Sequence, residues 1–167
     1  MHHLLSQRLA TVLMSALTAL AALTMAAPAH AADPTPPVEA ASGKLAPARA
    51  LIAKGQWSEA VAALQQVNDI GNADWNNLMG YSLRKGKTPD LARAERFYNE
   101  ALRIDPKHRG ALEYSGELYL MLGDLPKAEA RLAALDKACF FGCEEFSDLK
   151  SAVAKFKAAG NRYIAAP

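Results

Sequence analysis

The sequence predicts an all-α solenoid of three stacked helix-turn-helix units closed by a single C-terminal helix. Three observations predict it. From Leu45 to Gly160 apolar residues recur at three- and four-residue steps, and no strand-like alternation interrupts them. Positions of matched character return every 34 residues. One of these positions is always alanine and falls early in the second helix of each unit, where the two helices of a hairpin approach closely.

Ahead of the repeats stands a different kind of sequence. Met1 to Arg8 is short and polar, Leu9 to Met25 is uncharged and rich in Ala and Leu, and Pro28-Ala29-His30-Ala31 places small residues where a signal peptidase reads. Residues 1–31 are therefore expected to be a secretory signal, cut before Ala32. The alternative is a membrane anchor. Its apolar run would sit at the short end of a bilayer span, and Pro28 with the Ala-His-Ala site favours removal. No Cys stands near the cut, so lipid attachment there is not indicated. The expected destination is a bacterial periplasm, reached across the inner membrane, with no membrane span left after cleavage.

Removing 31 of the 167 residues leaves 136, with 18 Lys and Arg against 17 Asp and Glu, and a single histidine, His108. Near-balanced charge argues against nucleic acid as the main partner. One histidine excludes multi-histidine metal sites and most histidine-based catalysis. Residues 32–43 hold Pro34, Pro36 and Pro37 with little apolar bulk, and read as a flexible linker.

The repeat elements follow in order. Trp57, Leu91 and Leu125 are in phase, as are Ala60, Ala94 and Ala128; Leu64, Tyr98 and Leu132; and Val67, Ala101 and Leu135. The bulky residue four places after each alanine, and the apolar one three later, share a helix face and fill the hairpin interior. Gly80 and Gly116 lie in the preceding helices, where a missing Cβ lets neighbouring helices nearly touch. Gly55 and Gly123 mark turns two periods apart. The expected helices are 44–54, 57–69, 74–86, 90–104, 108–122, 125–138 and 145–159, with Asp90 capping the fourth. In the last, Phe146, Leu149, Val153 and Phe156 form one apolar stripe opposite Lys150, Lys155 and Lys157. A one-sided stripe is what the end of a solenoid requires.

These columns resemble the tetratricopeptide repeat (TPR) family, whose 34-residue units stack into a superhelix with a peptide-binding inner face. The third unit carries Leu112, Ser115, Gly116, Tyr119, Gly123-Asp124, Ala128, Leu132 and Leu135. The second carries Met79-Gly80, Ala94, Tyr98, Ala101 and Pro106, and the first Gly55-Gln56-Trp57, Ala60, Leu64 and Val67. The resemblance implies a TPR domain over 44–160, with units near 44–72, 73–108 and 109–142, a cap helix at 145–159 and a tail over 161–167. Four departures stand out. Ala48 replaces the glycine of the later units, the 85–90 turn is two residues long of standard, Trp75 is one place off the family's tryptophan, and Phe140 replaces a closing proline.

By the same resemblance the first helices line a groove. Asn77, Tyr81, Arg84 and Lys85 of the second unit and Glu113 and Glu117 of the third would meet a protein or peptide partner, with Leu45, Arg49 and Ile52 on the equivalent face of the first. Replacing Tyr81 and Arg84 by alanine is then expected to weaken capture and leave melting unchanged. The family's carboxylate-clamp set of Lys, Asn and Arg is missing, so a C-terminal peptide ligand is not implied. Arg93, Arg96, Glu95 and Glu100 read as solvated surface charge.

Cys139 and Cys143 are the only cysteines, and an even count in an exported chain points to a disulfide. Inert thiols, or redox or metal chemistry at the pair, stay open as alternatives. Glu144 and Glu145 would raise a thiol pKa, and the spacing is one residue longer than the usual redox motif. No catalytic residue, metal ligand set or cofactor is expected. The leading function is a non-catalytic exported scaffold, and the alternative is a thiol-disulfide or metal-handling protein. Oligomeric state is not indicated.

Overall fold

A computed structural model describes residues 43–164, which form seven α-helices and no strand: α1 (Ala46–Ala53), α2 (Trp57–Val67), α3 (Ala73–Lys85), α4 (Leu91–Ile104), α5 (Arg109–Met121), α6 (Leu125–Ala138) and α7 (Glu144–Ala158). The signal sequence expected over 1–31, the linker up to residue 42 and the last three residues of the tail lie outside the described residues.

The helices start where a side chain can take up a backbone N–H that has no partner within the helix. The side-chain oxygen of Asn72 accepts from the Trp75 amide at 3.1 Å, Asp90 from Arg93 at 3.0 Å, and Asp124 from Lys127 at 3.1 Å. At the start of α5 the acceptor is an imidazole nitrogen, His108 Nδ1, 3.1 Å from the Ala111 amide.

Three helices end alike. Gly55, Gly123 and Gly160 take φ of +68°, +76° and +69°, a region that only glycine enters without steric cost. The next amide then reaches back five residues, Gln56 to Leu51 O at 2.9 Å, Asp124 to Tyr119 O at 2.8 Å and Asn161 to Phe156 O at 3.0 Å. The longer turn of the second unit closes differently. Gly86 stays at φ −58°, and the Asp90 amide bonds Leu83 O at 3.1 Å across the two extra residues.

Hairpins form between α1 and α2, α3 and α4, and α5 and α6, and each packs on the next through α2 with α3 and α4 with α5. Neither α1 nor α2 packs against α5, α6 or α7, so the helices are layered in series and do not surround one centre. The three alanines of the small-residue column are fully buried, as are Leu64, Tyr98, Ala101 and Leu135. Trp75 links the first two units: its indole N–H donates to Leu64 O at 2.7 Å, and its ring meets Phe97 edge-on at 5.8 Å.

The two mid-helix glycines accommodate side chains where the sequence suggested a close approach of helix backbones. A Cβ on Gly80 would lie 2.7 Å from the Tyr98 ring, and one on Gly116 would lie 2.5 Å from Leu149. Leu149 belongs to α7, so the gap at Gly116 seats the cap helix across the third hairpin. Leu149, Val153 and Phe156 of α7 are buried while Lys150, Lys155 and Lys157 are exposed, which closes the core with a polar outer face.

Two substitutions test this packing. Alanine at position 80 gains up to about 1 kcal/mol in helix propensity, but forcing a methyl group into the Tyr98 ring costs about 1–3 kcal/mol. Gly80→Ala is therefore expected to lower the urea midpoint, and a midpoint at or above the parent's would show that the ring is not seated there. Ala128→Trp, at a site with no free volume, is expected to abolish the cooperative melt of the third hairpin, followed by circular dichroism.

Candidate binding face

The first helices of the units, α1, α3 and α5, lie in a row, and two side-chain clusters join them. Tyr81 and Arg84 are three apart on α3, and Tyr114 and Glu117 are three apart on α5, so each pair projects from one turn toward the other helix. Arg84 Nη2 lies 2.7 Å from Glu117 Oε2. The guanidinium sits 5.5 Å from the centre of the Tyr81 ring and 5.6 Å from that of Tyr114, within cation–π range of both. Arg84 Nε also donates to the Tyr98 hydroxyl at 3.4 Å. Tyr81 stands between Tyr114, 4.6 Å away, and Trp57, 5.7 Å away.

Of the residues assigned to an open groove, the structure brings Tyr81, Arg84 and Glu117 together and places Asn77 against the start of α5, where its amide nitrogen would be 3.0 Å from a Cβ on Gly110. Their exposure differs from the sequence expectation. Asn77, Tyr81, Arg84 and Glu113 are 4%, 1%, 3% and 1% exposed, and Lys85 and Glu117 are half-buried. Tyr114, buried beside Arg84, was missed because it reads as one more core aromatic; its three-residue step to Glu117 was the available signal. Leu45 and Ile52 are buried, and Arg49 is half-buried.

A second cluster ties the helix starts together. Asp74 Oδ2 accepts from Arg49 Nη2 at 2.9 Å, and Asp74 Oδ1 lies 2.9 Å from His108 Nε2. Because His108 Nδ1 accepts from the Ala111 amide, the imidazole carries its proton on Nε2 and donates it to Asp74. One carboxylate thus links α1, the first turn of α3 and the cap of α5. The hydrogen bond from His108 holds the Asp74 carboxyl below its ordinary value, with the charge of Arg49 adding to it and partial burial opposing. Both nitrogens of His108 are committed here, so it has none left to activate a nucleophile.

At the far end, Cys139 and Cys143 Sγ stand at disulfide distance, 2.05 Å, with Cα atoms 5.6 Å apart. Gly142 at φ +84° turns the chain between them, and its amide bonds Cys139 O at 2.8 Å. Glu145 comes within 4.8 Å of both sulfurs but pairs with Arg109 at 3.6 Å. Sulfurs this close to each other do not offer two separate thiolates to a metal.

Burial reverses the expectation for Tyr81 and Arg84. Arg84→Ala removes the 2.7 Å cation of a largely buried Glu117, and loss of one partner of such a pair costs about 3–5 kcal/mol. The variant, alone or with Tyr81→Ala, is expected to melt well below the parent, which urea titration measures. Asp74 gives a pH dependence of stated sign. A depressed folded-state pKa contributes stability above the unfolded value, and that contribution is lost as pH falls through the folded one. Tm is thus expected to drop on acidification below about pH 4, and Asp74→Asn to flatten that part of the profile by calorimetry.

A family model described as tetratricopeptide repeat matches residues 89–152, from the turn before α4 to the middle of α7. No curated protein matches the sequence. Among the described residues no helix is long and apolar enough to cross a membrane. Hairpins laid in series on a shared small-residue column, together with this match, support a tetratricopeptide repeat protein.

Proposed function

We propose that the protein is a non-catalytic, exported scaffold that holds another protein on the face made by α1, α3 and α5. The observation that carries this reading is the repeat match over 89–152, since TPR repeats commonly mediate protein–protein interactions. The chemistry of the row supports it. Aromatic rings are held in place around Arg84, and Lys85 and Glu117 stand half-buried at their edge. That buried cluster fixes α3 against α5, so a segment lying along the row would meet both signs of charge on a prearranged surface, which lowers the ordering cost of binding. The cysteine pair acts here as a staple between α6 and α7, and residues 1–31 direct the chain to the periplasm.

A photoreactive residue introduced at Lys85, beside the cluster, is expected to trap a discrete protein in living cells. The same residue at Ala130, exposed on α6, is expected to trap none. Equal yields from both sites, or none from Lys85, would remove the face assignment. Mass spectrometry of the exported form is expected to find Ala32 at its N-terminus, and an intact Met1 would remove the export reading.

A further inference from the structure

Two surface features lie away from the row of first helices. One is a pocket of about 570 Å³ between the loop at 70–71, the start of α3 and one face of α4. Trp75 and Phe97 supply its aromatic surface, and Ile70 stands beside them 64% exposed. Asn76 fixes the loop wall, donating through Nδ2 to Ile70 O at 2.8 Å and Asn72 O at 2.9 Å, so the cavity is preformed. Arg93, Arg96, Glu100 and Arg103 complete the lining from α4. Glu100 is taken by Arg103, with bonds of 2.7 and 2.9 Å. Arg93 reaches Asp90 only at 3.8 Å, and Arg96 makes no ion pair among the described residues. The rim therefore has a positive surplus at Arg93 and Arg96.

The other feature is the tip of the α6–α7 loop. Phe140 and Phe141 are 87% and 96% exposed, with their rings edge-on at 5.0 Å, and the cysteine pair ties off the loop on both sides of them. Asp136 and Glu144 flank the loop in sequence at exposed positions; of the exposed cations near it, Lys137 is adjacent in sequence and Arg109 is paired with Glu145. Fully burying a phenylalanine is worth about 1.5–3 kcal/mol, and adjacent rings held in water mark a contact surface.

We propose that the Phe140–Phe141 tip of one copy inserts into the Trp75–Phe97 pocket of a second copy, with Asp136 and Glu144 meeting Arg93 and Arg96. Both the apolar and the charged parts are complementary: exposed rings flanked by carboxylates face an aromatic cavity flanked by guanidinium groups. Tip and pocket sit on different units, so the contact runs head to tail and each added copy offers a further pocket. Two rings bury about 300–500 Å², against about 800 Å² per partner in a standard interface. The association is accordingly weak and concentration-dependent, with Kd between about 10 μM and 1 mM.

Sedimentation equilibrium of the full chain up to about 1 mM tests this, with circular dichroism to verify that each variant keeps its helices. The parent is expected to gain mass with concentration. Phe140→Ser with Phe141→Ser, and separately Arg93→Glu with Arg96→Glu, are each expected to weaken association at least tenfold. Mixing the two double variants leaves one intact tip and one intact pocket, and is expected to restore association that stops at two copies. A parent that stays monomeric throughout, association that survives either double variant, or a mixture that stays monomeric would overturn the proposal.

Discussion

Close approach of helices at the alanine column governs this structure. Ala60, Ala94 and Ala128 have no exposed surface, so a side chain larger than a methyl group at any of them has to displace its neighbours. Dispersion forces fall away within a fraction of an ångström of extra separation, so the hairpins gain their packing energy only if these sites stay small. Once the hairpins close, the bulky partners four residues on have one place to go. Tyr98 shows this: its ring lies over the bare Cα of Gly80, and its hydroxyl reaches Arg84.

The joints between units rest on polar contacts as well as on shape. The Trp75 indole and the Leu64 carbonyl couple the first unit to the second. The Asp74 carboxylate couples α1 and α3 to the cap of α5, and Arg84 with Glu117 couples α3 to α5. Such contacts are directional, and a charge left without its partner in a dry interface is costly. They therefore set the rotation between neighbouring units more tightly than apolar packing alone. The row of α1, α3 and α5 is thus joined by directional contacts as well as by packing.

The C-terminal end solves a different problem. A solenoid has no natural stop, because its last hairpin presents an apolar face to the next unit. Here α7 covers that face, seating Leu149 in the gap at Gly116 and turning lysines outward. The connection into α7 is short and tied by the cysteine pair, and its two phenylalanines are left outside the core it closes.

Local chemistry in the sequence determined the helices, the turns and the column of small residues. Spacing of three and four is a property of one helix, and a capping Asp90 or a glycine at Gly55 and Gly123 acts on its own backbone. Each helix accordingly lies within two residues of its expected bounds. Which residues a helix face meets is a property of two helices, and there only the tertiary structure decided. Periodicity put Tyr81, Arg84 and Glu117 on one side of their helices, but their burial depends on Tyr114, Trp57 and each other across the gap. His108 meets a carboxylate 34 residues away, a partner that no local spacing reveals. The pocket beside Trp75 joins a loop of one unit to a helix of the next, and charges that read as solvated along α4 become its rim only when those units dock.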